Sequence, residues 1–319
     1  MKQLRILRLL AVVTAVGAYV MLLMGAIVSK TESGQGCGNS WPFCHGQLIP
    51  ESMPIATVIE LSHRVVSGID GFLILLLTVW SWIAFKDNVR IKTLGFMSLF
   101  FVVLQGGLGA LTVVFEGDFT KKFALALHFG FSLISFASVV LLAVTLFEQQ
   151  KAVGGESRPV GKGMKIATWG LAAWTYVIVY TGALVRHSDA TMGCGFSFPG
   201  CGTTLFPDFT SIAGIHMLHR YGAYSLWLFS LLFLIAILKA YRDRRDYVRG
   251  GWLALGLITL QAVTGIVTVK TGGQLVAALV HTTIISIYFS VICYLCMQGG
   301  WPWKRKLERT EISSNPVTT

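Results

Sequence analysis

Charge is what this sequence has least of. Only 13% of its 319 residues are Asp, Glu, Lys or Arg, against 54% hydrophobic. A soluble domain of this length needs far more charge to cover its surface, so one large soluble core is excluded. The apolar residues fall instead in long blocks, and a run of roughly 20 such residues crosses a bilayer. Acidic residues are the scarcer sign, 15 against 26 basic ones, for a formal net charge of +11. A nucleic-acid partner would call for a basic stripe interleaved with aromatics outside the apolar blocks, and none is present. The cations sit in short connections between blocks, as a topology signal does. Nucleic acid is therefore set aside, and the lipid bilayer is the first partner.

Eight apolar blocks stand near residues 9–28, 63–85, 94–115, 123–147, 166–185, 217–238, 252–269 and 275–297. Each is long enough to span, and Trp80, Trp82, Trp169, Tyr241, Trp252, Trp301 and Trp303 near their ends suit a membrane interface. The basic N-terminus, Lys2 to Arg8, looks like the start of a signal peptide. The apolar stretch behind it runs on to Val28, too long for one, and is read as a retained first helix. Alternate connections hold nineteen cations in one set (among them Lys2, Lys86, Lys151, Arg242 and Lys304) and five in the other: Lys30, Lys121, Lys122, Arg186 and Lys270. That bias puts both termini in the cytoplasm and the two long connections, 29–62 and 186–216, outside the cell membrane. The polar tail, 306–319, reads as disordered.

The chain repeats itself. Gly25-Ala26-Ile27-Val28 matches Gly182-Ala183-Leu184-Val185, and Gly36-Cys37-Gly38 matches Gly193-Cys194-Gly195. Glu60-Leu61-Ser62-His63-Arg64 matches His216-Met217-Leu218-His219-Arg220, Leu104-Gln105 with Gly109 matches Leu260-Gln261 with Gly265, and Ala126-Leu127-His128 matches Leu279-Val280-His281. Five landmarks in order at nearly one offset mark a duplication. Each copy holds four helices, an even number, so both copies enter from one side as parallel repeats. The expected fold is all-α and integral to the membrane, with eight transmembrane helices in two four-helix bundles: residues 1–150, residues 151–305, and then the tail.

His63, His128, His219 and His281 then lie at one depth, two per half. Each alone reads most simply as a structural histidine bonded to a backbone carbonyl. Two pairs at repeated positions favour ligation of haem iron from both sides. Zinc is the weaker alternative, because no third or fourth ligand stands at that depth. Arg64 and Arg220 follow His63 and His219 and suit haem propionates; snorkelling to the surface is an equal reading. Glu60 stands three residues before His63, where the second half has His216. A carboxylate beside a haem moves protons or steadies a cation; a helix-start charge is the plainer alternative. Cys37 with Cys44 and Cys194 with Cys201 share a spacing in the outer loops, where thiols become disulfides. The second pair reads as structural; the first is structural or redox-active. Neither forms Cys-x-x-Cys-His, which argues against covalently attached haem. Cys293 and Cys296 read as core thiols, and Gly106, Gly107, Gly109, Thr264 and Gly265 as close helix packing or room for a flat macrocycle.

The run Gly34-Gln35-Gly36-Cys37-Gly38 through Trp41-Pro42-Phe43-Cys44-His45-Gly46, followed by Glu60-x-x-His63-Arg64, resembles the haem A synthases of the Bacillus type, as do the duplicated units and the four histidines. The resemblance covers nearly the whole chain apart from the tail. It implies an oxidoreductase acting on the C8 methyl of haem O to give the formyl group of haem A, for terminal cytochrome oxidases. It further implies that His63 and His128 stand at the substrate haem O iron, that Glu60 is the catalytic carboxylate, and that His219 and His281 ligate a haem b cofactor. Cys37–Cys44 would be the pair linked to activity and Cys194–Cys201 the structural bridge. Haem O synthase, a protohaem farnesyltransferase, is the expected upstream partner, and a homo-oligomer is compatible with the reading. Two other functions use the same histidines: a di-haem b electron-transfer protein oxidising quinol, and a haem transporter, which parallel repeats suit poorly.

Overall fold

An apolar segment in lipid has to satisfy its own backbone hydrogen bonds, which leaves helices as the solution for blocks of this length. The structure, a computed structural model, describes residues 2–114, 118–149 and 158–303. Those residues form eight helices: α1 Lys2–Lys30, α2 Ile55–Ala84, α3 Val89–Val114, α4 Asp118–Glu148, α5 Lys162–His187, α6 Ile212–Ala240, α7 Arg245–Lys270 and α8 Leu275–Gly299. All eight contain a stretch long and apolar enough to cross a membrane, as expected. The tail expected to be disordered and Lys151 lie outside the described residues.

The packing explains why four plus four helices make one body. Consecutive helices pack within each half, while α4 packs on α5 and α8, and α1 packs on α8. Since α5 matches α1 and α8 matches α4, the pair α4–α5 is the counterpart of α8–α1, and α4–α8 pairs a helix with its own counterpart. Two parallel repeats give this pattern about an axis along the membrane normal. α4 is the most enclosed of the eight spans. Several core hydroxyls are neutralised locally: Thr14, Thr175 and Ser230 each donate to the carbonyl four residues earlier, at 2.7–2.8 Å, so these three enter the apolar bundle without an unmet bond. Between the halves, Tyr19 and Thr283 share a hydroxyl bond of 2.9 Å, and the Tyr294 hydroxyl donates to Glu148 at 2.9 Å.

Several helices begin earlier than hydropathy implies. His63 does not open α2, which starts at Ile55. α6 starts at Ile212, where Ser211 accepts the Gly214 N–H at 3.0 Å and caps the helix. The cause is the outer loops. Each disulfide loop lies on the first turn of the helix that follows it, so polar residues there have partners that an apolar count cannot see. Thr57 donates to the Gly36 carbonyl at 2.5 Å. A side chain at Gly36 would run into the Ala56 carbonyl, and one at Gly193 into the Ile212 carbonyl. Both glycines of the repeat are thus close-approach positions.

The α4–α5 seam is equally tight. A Cβ at Gly130 would lie 2.7 Å from Tyr180 Cζ and 2.8 Å from the Tyr176 hydroxyl. Overpacking of this kind costs about 1–3 kcal/mol. Gly130→Leu is expected to lower the thermal midpoint of the detergent-solubilised protein by several degrees. Gly170→Leu, at a position with nothing within 4 Å, leaves it unchanged.

Candidate functional site

The chain passes through the bundle four times per half, so α2, α4, α6 and α8 all start at the end that carries the disulfide loops. His63, His128, His219 and His281 sit in the first halves of these helices. All four line a single cavity of about 640 Å³, in the range of pockets that hold cofactors of this size. Its walls are largely apolar, from Leu22, Val102, Ile178, Leu226, Ile258 and Ile285.

Each imidazole rests on a glycine of the helix before it. A Cβ at Gly25 would lie 3.4 Å from His63 Cε1, at Gly109 3.3 Å from His128 Cε1, at Gly182 3.0 Å from His219 Cε1, and at Gly265 3.1 Å from His281 Cε1. Four repetitions of one contact make it the construction rule of the site: a bare stretch of backbone lets the Cε1 edge of the ring approach the neighbouring helix. Sequence reading used Gly25 and Gly182 only as landmarks of the repeat and took Gly109 and Gly265 for helix packing.

Three of the rings are also oriented by a bond to Nδ1. His128 Nδ1 donates to the Gln105 carbonyl at 2.8 Å. The Thr181 hydroxyl donates to the Ile178 carbonyl, so it accepts from His219 Nδ1 at 2.9 Å. The Thr264 hydroxyl, donating to the Gln261 carbonyl, accepts from His281 Nδ1 at 3.0 Å. A proton fixed on Nδ1 leaves Nε2 as a lone pair, the state a metal-ligating histidine needs. At His281 that lone pair accepts the Gln261 amide, 3.0 Å away. His63 Nδ1 is buried with no partner. Among the described residues no three His, Cys, Asp or Glu side chains converge as a metal cluster. Paired imidazoles on either side of a flat, apolar group therefore fit this donor set better than a four-ligand zinc site. The residues present fit haem.

Glu60 is buried at the junction of α2 and the first loop. Its Oε2 accepts the Cys37 backbone N–H at 2.8 Å, and its Oε1 meets Arg64 at 2.5 Å. Arg64 also donates to the Ser40 and Phe43 carbonyls at 2.8 and 2.9 Å. One arginine thus clamps the first loop to the carboxylate, and neither side chain lines the cavity. Arg220 clamps the second loop in the same way, through Pro199 and Gly200 at 3.1 and 2.8 Å. It differs in lining the cavity with one buried guanidinium nitrogen unbonded. His216, in the place of Glu60, also lines the cavity. The loops are closed by the disulfides Cys37–Cys44 and Cys194–Cys201, while Cys293 and Cys296 are free thiols in α8.

Two further cations face the cavity, Lys30 and Arg186. Sequence reading counted them only as topology charges. The signal was available: Arg186 occupies the repeat position of Ser29, and its guanidinium bonds to the Ser29 carbonyl, across the two halves.

Hydrogen bonds to charged groups contribute about 1.5–3 kcal/mol each, so the Arg64 clamp holds the first loop closed by more than a tenfold factor. Arg64→Leu is expected to speed reduction of Cys37–Cys44 by dithiothreitol at least tenfold, read by maleimide labelling, with Cys194–Cys201 in the same molecules unaffected. Equal rates for the two disulfides in the variant and the parent would contradict the clamp.

Comparison with known proteins bears on the same site. Residues 8–293 match the model of a family described as cytochrome oxidase assembly protein. A protein named Heme A synthase from Bacillus mycoides (strain KBAB4) is 41% identical over 295 residues, covering 92% of this chain and 94% of its own. Another of that name from Bacillus cereus (strain 03BB102) is 41% identical over 316 residues, covering 99% of each. The match takes in all four histidine helices, both disulfide loops and Glu60, and the chain belongs to the haem A synthase family of cytochrome oxidase assembly proteins.

Proposed function

We propose that this chain oxidises the C8 methyl of haem O to the formyl group of haem A, with the first half as the substrate site and the second half holding a haem b cofactor. The observation that carries the reading is the broken symmetry of an otherwise repeated frame. Both halves seat two imidazoles on glycines and clamp a disulfide loop with an arginine. Only the first half puts a carboxylate beside that clamp, three residues before its first histidine. Its counterpart is His216.

In this reading His63 and His128 hold the iron of haem O, and His219 and His281 hold that of haem b. A bound haem b supplies one-electron redox chemistry. Gln261, which bonds His281 Nε2, would release that lone pair to a bound iron, and the apolar walls would surround the macrocycle and keep water out. Arg220, with a guanidinium nitrogen still unbonded, and Arg186 and Lys30, which line the same cavity, would suit the propionates of a bound haem. Arg64 serves the carboxylate instead: it holds Glu60 in place. Turning a methyl into a formyl group removes protons from carbon, and the carboxylate anchored at the loop end of α2 is the group proposed to accept one or to stabilise positive charge at that carbon. The farnesyl tail of haem O favours entry from lipid, and a haem O synthase upstream supplies the substrate. The cation distribution puts both termini in the cytoplasm and the disulfide loops outside.

Expression together with a protohaem farnesyltransferase, followed by chromatography of the extracted haem, tests the activity. The parent is expected to yield haem A. Glu60→Gln, nearly isosteric and still able to accept the Cys37 N–H, is expected to retain bound haem and lose at least a hundredfold of formyl product. Haem b as the sole extracted species in the parent would favour the di-haem electron carrier instead.

A further inference from the structure

The four imidazoles share a seat but not an anchor. All four rings turn Cε1 to the glycine. A Cβ would lie 3.6, 3.5 and 3.7 Å from Nδ1 of His128, His219 and His281 at Gly109, Gly182 and Gly265, with His219 Nε2 equally close at 3.6 Å, whereas at Gly25 the nearer nitrogen of His63 is Nε2, at 3.7 Å. His63 is also the one of the four whose Nδ1 has no hydrogen-bond partner, although the atom is buried.

One residue differs at the matching position. His219 is anchored by Thr181, which directly precedes the seat glycine Gly182. The residue directly preceding the matching seat Gly25 is Met24, whose thioether is a weak acceptor at best. No other group replaces it. His128, in the same half, is spared because its acceptor is the Gln105 backbone carbonyl, which no side-chain change removes.

A ligating histidine normally donates its second N–H, which fixes ring orientation and raises ligand basicity; losing that partner typically costs about 10–100-fold in metal affinity. We propose that Met24 leaves His63 as the exchangeable iron ligand of the first half, with His128 as the anchor, while Thr181 and Thr264 make both ligands of the second half permanent. The inference rests on the reading that the first half takes a haem as substrate. It adds how that half would let a macrocycle leave: His63 would give up the iron first and take its Nε2 lone pair back, while His128 kept hold. A site that keeps its haem has no use for this arrangement, and one that must release a product does.

Carbon monoxide reads the exchange directly, since it binds ferrous haem only where an axial ligand lets go. The full-length protein, loaded with haem b in both halves and reduced with dithionite, is titrated with carbon monoxide and followed in the Soret band. One of the two haems in the parent is expected to take the gas readily. Met24→Thr restores an acceptor at the position of Thr181, and is expected to weaken carbon monoxide binding at that haem about tenfold or more. Met24→Leu, which changes packing without adding an acceptor, stays like the parent. Thr181→Val is expected to make the second haem reactive as well. Loaded protein in which Met24→Thr binds the gas like the parent, or in which neither parental haem binds it, overturns the inference alone. Failure of the parent to take up haem at all overturns the functional reading together with it.

Discussion

Every feature of the site depends on an imidazole lying against bare helix backbone inside an apolar bundle. A histidine in lipid is costly unless both ring nitrogens have a use. The glycines at 25, 109, 182 and 265 give the rings room, and the hydroxyls or carbonyl beside three of them take the Nδ1 proton. What remains is Nε2, the atom that a haem would take in the proposed function. The cavity is thus less a hole between helices than the space four seated rings enclose. The packing of the halves, with α4 on α5 and α8 on α1, keeps both pairs of rings around that space.

Duplication explains the frame, and its violations explain the chemistry. Arg64 and Arg220 hold down equivalent loops through equivalent carbonyls. Glu60 turns the first clamp into an ion pair that reaches a backbone N–H of the disulfide itself. The first disulfide loop and the carboxylate are therefore held together, whereas in the second half His216 faces the cavity. Met24 in place of a threonine is the same kind of departure. Both departures fall in the first half, the side proposed to take the substrate.

Much of this was legible in the sequence. Blocks of apolar residues gave eight spans, because in a membrane hydropathy and helix are nearly one property. The repeat brought out the four histidines and the Glu60–His216 difference, because ligands at the same depth keep the same spacing. The starts of α2 and α6 were not legible. Thr57 and Glu60 are polar, and the loop groups that partner them are distant in sequence. Nor was the anchoring of the rings. The Gln105 carbonyl carries no side-chain signature, and Thr181 looks like any membrane threonine until His219 is seen beside it. Arg64 was read as a partner for a ligand, and its bonds to Glu60, Ser40 and Phe43 show a clamp that only the fold of the loop could reveal.

The central claim is that two unlike haem sites occupy one duplicated frame. Iron-edge anomalous diffraction from crystals of the purified, haem-loaded protein tests it most directly. The account predicts two iron peaks, one between His63 and His128 and one between His219 and His281, with the His63 side the less complete of the two coordination shells. A single iron, or iron held away from these rings, would contradict it.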